Sequence, residues 1–71
     1  MTNGDMLRQK IKECGFKMVY VASQCGLTYN GFLKKLNNET EFKVSEMMTL
    51  RKMLNLSSKE ADAIFFCKDC R

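Results

Sequence analysis

The sequence contains no histidine, no proline and no tryptophan. Without histidine, it lacks the commonest general acid–base group and the commonest metal ligand of proteins. It also shows no glycine-rich phosphate loop and no paired-carboxylate pattern, and a chain of 71 residues offers little room for a concave substrate pocket. We therefore expect a protein that is not an enzyme and that needs neither a cofactor nor a metal.

Long hydrophobic runs are missing as well. The longest, such as Met18 to Ala22, have five residues, whereas a membrane-spanning helix needs about 20. The first residues, Met1 to Asp5, lack the basic and then apolar layout of a signal peptide. We expect a cytoplasmic protein without membrane contact, in which a single domain covers residues 1–66 and a short tail covers residues 67–71.

The apolar residues that are present, 45% of the chain, recur with the period of an α-helix and predict an all-α fold. The expected helices run from about residues 5–14, 17–25, 28–37, 44–54 and 57–66. Gly15 and Gly26 are placed to close the first two helices. Asp5, Thr28 and Ser57 are candidate N-caps, and a glutamate three residues after Ser57 completes a capping-box pattern.

The inward faces of these helices define the expected core. Its members share helical spacing and an apolar or thiol side chain: Leu7, Ile11, Cys14, Val21, Ala22, Cys25, Phe32, Leu36, Met47, Leu50, Met53, Leu54, Ala61, Ile64 and Phe65. Cys14 and Cys25 are expected to be buried free thiols. Cys67 and Cys70 form a C-x-x-C pattern, for which we favour a frayed tail over a redox pair or a metal clip between two subunits.

The net charge of +4 is unevenly distributed along the chain. Between Leu7 and Asn38 there are six basic residues and one acid, whereas from Glu39 to the C-terminus six basic residues face six acids. A basic surface is the electrostatic requirement for contact with phosphates, although solvated lysine-rich helix faces produce the same skew. The first half of the chain is therefore the candidate nucleic-acid-binding half.

Residues 17–37 combine two short predicted helices with a glycine-containing turn, which is the pattern of a helix-turn-helix. Its Val21-Ala22, Gly26-Leu27-Thr28 and Phe32 resemble the Cro/lambda-repressor (XRE) helix-turn-helix family over about residues 6–56. Small prophage or mobile-element regulators of Gram-positive bacteria are the nearest in appearance. Two positions depart from the family pattern: Met18 replaces a phosphate-contacting glutamine, and Leu36 replaces a frequent glutamate.

The resemblance implies a compact five-helix, lambda-repressor-like domain that binds double-stranded DNA sequence-specifically, as a repressor that recognises a palindromic operator as a homodimer. Tyr29 and Asn30 occupy the base-reading positions of the family, and Lys34 lies one turn further along the same helix. The expected DNA-backbone contacts are Lys17, Met18, Thr28, Lys35, Asn37, Asn38 and Lys43. For each residue, the competing interpretation is an ordinary solvent-facing side chain.

Two other functions remain open at this point. The same fold serves as a protein-interaction module, such as an antitoxin, an anti-repressor or an adaptor, because a fold does not determine a function. A non-specific nucleoid or RNA-binding protein fits less well, since the net charge is modest and Tyr29 is the only candidate exposed aromatic platform. Exposed Met18, Met48 and Phe66 would favour the protein-interaction module.

Overall fold

A computed structural model describes residues 1–66, and these residues form α-helices without any strand. The five helices are α1 (Gly4–Glu13), α2 (Met18–Gln24), α3 (Tyr29–Leu36), α4 (Val44–Met53) and α5 (Ser58–Phe65). The expectation of an all-α fold with five helices is confirmed. No helix within residues 1–66 is long and apolar enough to cross a membrane. The C-x-x-C pattern lies outside the described residues.

Most helices begin and end near the residues that the sequence predicts, because glycine turns and side-chain caps fix their ends. Gly26 ends the α2 turn with a φ of +73°, a left-handed conformation that residues with a Cβ rarely adopt. At the start of α5, the Ser57 hydroxyl accepts a hydrogen bond from the Glu60 amide at 3.1 Å, and the Glu60 carboxylate accepts one from the Ser57 amide at 3.0 Å. The predicted capping box is confirmed, and it fixes the residue at which α5 begins.

The start of α1 differs from the prediction. Asn3, and not Asp5, is the N-cap, because the Asn3 Oδ1 atom accepts a hydrogen bond from the Met6 amide at 3.1 Å. The Asn3 amide itself donates to the Ile64 carbonyl at 2.6 Å, so α5 holds the first residues in place. A contact with α5 therefore accompanies the choice of Asn3 over Asp5, two residues further on, although both are good caps.

The core lies at the centre of the five helices and extends into the connections on both sides of α4. Its buried apolar residues are Leu7, Ile11, Val21, Ala22, Phe32, Leu36, Phe42, Leu50, Leu54, Leu56, Ala61, Ile64 and Phe65. Phe42, which precedes α4, packs edge-on against both Phe32 and Phe65, with ring centroids 6.0 and 5.7 Å apart. Cys14 is exposed, so the prediction that its thiol is buried is wrong: it caps the end of α1, where the helix leaves the core.

The packing of α3 determines what this helix can present to solvent. It contacts both α1 and α2, and α1 also packs against α5. One side of α3 carries Phe32 and Leu36, which are buried. The opposite side is left uncovered by the rest of the described chain.

Candidate nucleic-acid interface

The start of α3 and its uncovered side present the three residues that were predicted to contact bases. Tyr29, Asn30 and Lys34 are all exposed, and Tyr29 retains 46% of its accessible surface. Asn30 and Lys34 are four residues apart, so they lie one above the other on the same face of the helix. Their side-chain polar atoms have no hydrogen-bond partner within residues 1–66, which leaves these atoms available to an external ligand.

The connection between α2 and α3 orients this face. Thr28 has an extended backbone, and its Oγ1 atom accepts a hydrogen bond from the Gly31 amide at 3.0 Å, which confirms it as the N-cap. A Cβ at Gly31 would lie 3.1 Å from that same hydroxyl oxygen. A larger side chain at Gly31 would therefore crowd the cap.

A groove runs along one side of this exposed face. It has a volume of about 830 Å³, and we call it the basic groove because three of its lining side chains are cations and none is acidic. Its lining includes Arg8 and Lys12 of α1, Lys17 at the start of α2, and Tyr29 and Leu33 of α3. None of the three cations makes an ion pair with a residue in 1–66.

Arg8 and Lys12 were not among the predicted site residues. They are four residues apart on the outer side of α1, and both are exposed. Their spacing places them on one face of a helix, which is a signal that the sequence contained. What the sequence did not contain is the packing of α1 beside α3, which brings this face next to Tyr29.

Two other cations of the first half are neutralised by acids of the second half. The Lys10 ammonium contacts the Glu60 carboxylate and lies 3.9 Å from that of Glu13. The hydrogen bond from Lys10, followed by that from the Ser57 amide, lowers the pKa of Glu60 to about 2. The hydrogen bond with Glu60 likewise raises the pKa of Lys10. Lys10 therefore stabilises the contact between α1 and α5 and does not extend the basic groove.

Lys35 was predicted to contact the DNA backbone, and its position is incompatible with that role. Its side chain is only 11% exposed, and its Nζ atom lies 2.7 Å from a carboxylate oxygen of Glu46 and 3.1 Å from the Glu41 carbonyl. Burial would raise the pKa of Glu46, but the hydrogen bonds from Lys35 and from the Lys43 amide outweigh it and hold that pKa below its ordinary value. Lys35 thus joins the end of α3 to the start of α4.

The turn after α3 is also partly occupied by internal contacts. Asn38 has a φ of +63°, and its side chain accepts a hydrogen bond from the Thr2 amide at 2.8 Å and donates one to the Thr2 carbonyl at 2.9 Å. The side-chain amide of Asn38 anchors the N-terminal segment through these bonds, so it does not fit the predicted contact with the DNA backbone. Asn37 accepts a hydrogen bond from Arg8 at 3.3 Å and remains exposed.

The remaining predicted backbone contacts lie around the exposed face of α3. Lys17 is the N-cap residue of α2 and Lys43 is that of α4, and both side chains are exposed. Met18 is half-buried and packs against the core, with one edge in the basic groove. Its side chain offers no strong hydrogen-bonding group to a phosphate, so any such contact falls to its main-chain amide.

The described cysteines do not form a metal centre. Cys25 is half-buried, and burial raises the pKa of its thiol, which disfavours the thiolate that a metal or an electrophile requires. Within residues 1–66, no group of three or more cysteine or carboxylate side chains is placed to hold a metal ion.

The exposed face of α3 and the adjoining basic groove are thus the features on which a function can be based. They belong to one continuous surface, because Tyr29 contributes to both. The chain matches no model of a known protein family, no curated protein and no solved structure.

Proposed function

We propose that this protein is a sequence-specific DNA-binding transcriptional regulator of the type that its sequence resembles, the Cro/lambda-repressor family. The observation that carries the proposal is the exposure of Asn30 and Lys34 on one face of α3 and of Tyr29 at its N-terminal end. The major groove of B-DNA admits a single α-helix, and a helix-turn-helix protein inserts the N-terminal residues of its second helix there. In this chain, α2 and α3 would supply the two helices of the motif.

Each exposed residue of α3 has a chemistry that suits a base edge or a phosphate. The Asn30 amide matches the N6 and N7 atoms of adenine, a bidentate pair that contributes about 1–3 kcal/mol of discrimination. Tyr29 offers a hydroxyl donor and an apolar ring that suits a thymine methyl group. Lys34, one turn further along, reaches a guanine edge or the adjacent phosphate. Sequence specificity would therefore depend mainly on Asn30.

Exposed donors around α3 would supply the contacts to the DNA backbone. The cations of the basic groove lie on one side, and Lys43 lies at the start of α4. Thr28 and Asn37 add uncharged donors at the two ends of α3. Such contacts position the protein on the duplex without reading sequence, and they make the affinity strongly dependent on salt. Repression would follow because the bound protein occludes RNA polymerase.

Selection of bound duplexes from a random DNA library tests base reading directly. At about 150 mM salt, the wild-type protein is expected to enrich one motif, and Asn30→Ala is expected to lose or relax it at one base pair. Gln24→Ala is the matched control, because it removes a similar exposed amide from the end of α2. This control should select the same motif as the wild type.

Two results would contradict the proposal. If Asn30→Ala selects an unchanged motif, α3 does not read the bases through Asn30. If the wild type enriches no motif at all, the protein is not a sequence-specific DNA-binding protein, and the protein-interaction module becomes the better interpretation.

We further propose that the regulator binds its operator as a homodimer and that α4 and α5 form the contact between the two copies. Val44, Met48 and Phe66 are 69%, 66% and 63% exposed, and they line one shallow groove together with Arg51 and Asp62. In a two-fold symmetric contact, the same patch meets itself. The exposed apolar side chains of the patch would then be buried between the two copies.

The dimer is tested by sedimentation equilibrium with the variant Met48→Glu. The wild type is expected to associate, and the variant is expected to weaken association at least about tenfold, because it places a charge in an apolar contact. Val19→Glu is the control, since Val19 is 57% exposed but lies on α2. Equal association of all three proteins would exclude α4 and α5 as the interface, and a monomeric wild type would exclude the homodimer in the absence of DNA.

A further inference from the structure

The floor of the basic groove is apolar, although its rim is cationic. Phe16, Met18 and Leu33 line the floor, and each is half-buried against the hydrophobic core. The rim carries Arg8, Lys12 and Lys17 (named above) and no acid. The groove, with a volume of about 830 Å³, thus suits a ligand that has both anionic and apolar groups.

A DNA backbone matches the cations of the groove but not its apolar side chains. Phosphates are attracted to the cations of the rim, but they gain nothing from Met18 and Leu33, and burial of an ionised group against apolar atoms is costly. The departure at Met18 increases this mismatch, because the resembling family carries a phosphate-binding glutamine at that position. The apolar floor therefore requires an explanation beyond DNA binding, since clusters of exposed apolar side chains often mark binding sites for proteins.

We propose that the basic groove binds an amphipathic, acidic α-helix of a partner protein, and that this binding excludes DNA. A helix that lies in a groove buries apolar anchors spaced at i, i+3, i+4 and i+7, which here would cover Phe16, Met18 and Leu33. Acidic residues beside these anchors would face Arg8 and Lys12. The inference that the helix competes with DNA rests on the proposed function, whereas the inference that the groove binds an acidic helix does not.

Exclusion of DNA follows from shared residues. Tyr29 lines the groove and also stands at the exposed N-terminal end of α3. A helix in the groove would cover Tyr29 and neutralise the neighbouring cations. The groove between α4 and α5 is not an equivalent site for such a helix, because Arg51 and Asp62 both line it and their charges oppose each other.

The experiment measures binding of designed peptides by fluorescence anisotropy. The probe is a labelled peptide of about four helical turns with leucine at the anchor positions and glutamate at most others. One control peptide has the same composition in scrambled order, and a second carries lysine in place of glutamate. The probe is expected to bind at least about tenfold more tightly than either control.

Protein variants then locate the site and separate the two functions. Met18→Gln removes apolar surface and is expected to weaken the probe about tenfold. Binding of a selected duplex should be retained or strengthened, because the glutamine amide can donate a hydrogen bond to a phosphate. Lys12→Glu is expected to weaken both ligands, because it reverses a rim charge. Lys59→Glu is the charge-matched control, since it makes the same reversal at an exposed position of α5, and it should leave probe binding within about twofold of the wild type.

The outcomes distinguish this inference from the proposed function. Probe binding that is sensitive to Met18→Gln supports the groove as a helix-binding site whether or not DNA binds. DNA binding without probe binding overturns the groove inference alone. Probe binding that is equal to that of the scrambled peptide, or that is unaffected by Met18→Gln and Lys12→Glu, also overturns it. Simultaneous binding of probe and duplex overturns the exclusion.

Discussion

Replacement of Lys35 by alanine is expected to lower the free energy of unfolding by about 3 kcal/mol, because it leaves a buried carboxylate without its partner. The Glu46 side chain is only 8% exposed, and the Lys35 ammonium lies 2.7 Å from it. Lys35 also bonds to the Glu41 carbonyl and lies over the Phe42 ring, with its Nζ atom 5.9 Å from the centroid. The substitution should therefore loosen the junction between α3 and α4.

Urea unfolding followed by far-ultraviolet circular dichroism measures this effect. Lys34→Ala is the matched control, since it removes the neighbouring but exposed lysine and should change stability by no more than about 0.5 kcal/mol. Addition of Glu46→Gln to Lys35→Ala should recover part of the loss, because it removes the unpaired charge. Equal effects of the two lysine substitutions would show that the pair at Lys35 does not stabilise the fold.

The same pair predicts a dependence on pH. The folded-state pKa of Glu46 is held below its ordinary value of 4.5, so its contribution is fully present above about pH 4.5. This contribution is lost as the pH falls through the folded-state pKa, because protonation of Glu46 ends the ion pair. The stability of Lys35→Ala should therefore decline less steeply than that of the wild type in this acidic range.

Replacement of Gly4 by alanine is expected to lower the free energy of unfolding by about 2 kcal/mol, although alanine is the better helix former. Gly4 is the first residue of α1, where it faces the end of α3. A Cβ at this position would overlap the carbonyl oxygen of Leu36 and approach its carbonyl carbon to 3.2 Å. Since the obstacle is backbone, no rotation of a side chain can relieve the overlap, and α1 and α3 must move apart.

Thermal unfolding compares this variant with Gly31→Ala. The control makes the same substitution in the first turn of α3, where the new Cβ would meet only the Thr28 hydroxyl oxygen at 3.1 Å. Its stability should stay within about 1 kcal/mol of the wild type. If Gly4→Ala were as stable as the wild type or more stable, the close approach of α1 to the end of α3 would be wrong.

Most of the fold was predictable because its local signals agree. The helical spacing of apolar residues, the left-handed glycine at Gly26 and the side-chain caps at Thr28 and Ser57 each act within a few residues. The burial of Phe42 was not predictable in this way, since it lies in a connection without helical period. Its place between Phe32 and Phe65 depends on how the helices on both sides of it pack.

The candidate site also has one part that the sequence predicts and another that depends on the tertiary structure. The shared exposure of Asn30 and Lys34 follows from helical geometry, because Phe32 and Leu36 take the opposite side of the helix. Tyr29 lies seven residues before Leu36, on the apolar side, so its exposure at the start of α3 required the structure. The groove beside them required the tertiary structure, because its cations come from α1 and the start of α2 and one wall comes from α3.

Helical period, caps and turns are properties of neighbouring residues, and they were sufficient to predict five helices and the outward face of α3. Pairing of charges is a property of residues that only folding brings together. Lys34 and Lys35 are adjacent and chemically identical, yet one is exposed and the other is buried against Glu46. Lys10 is likewise paired with Glu60 of α5. The folded chain therefore decides which cations of the basic half remain available to a ligand.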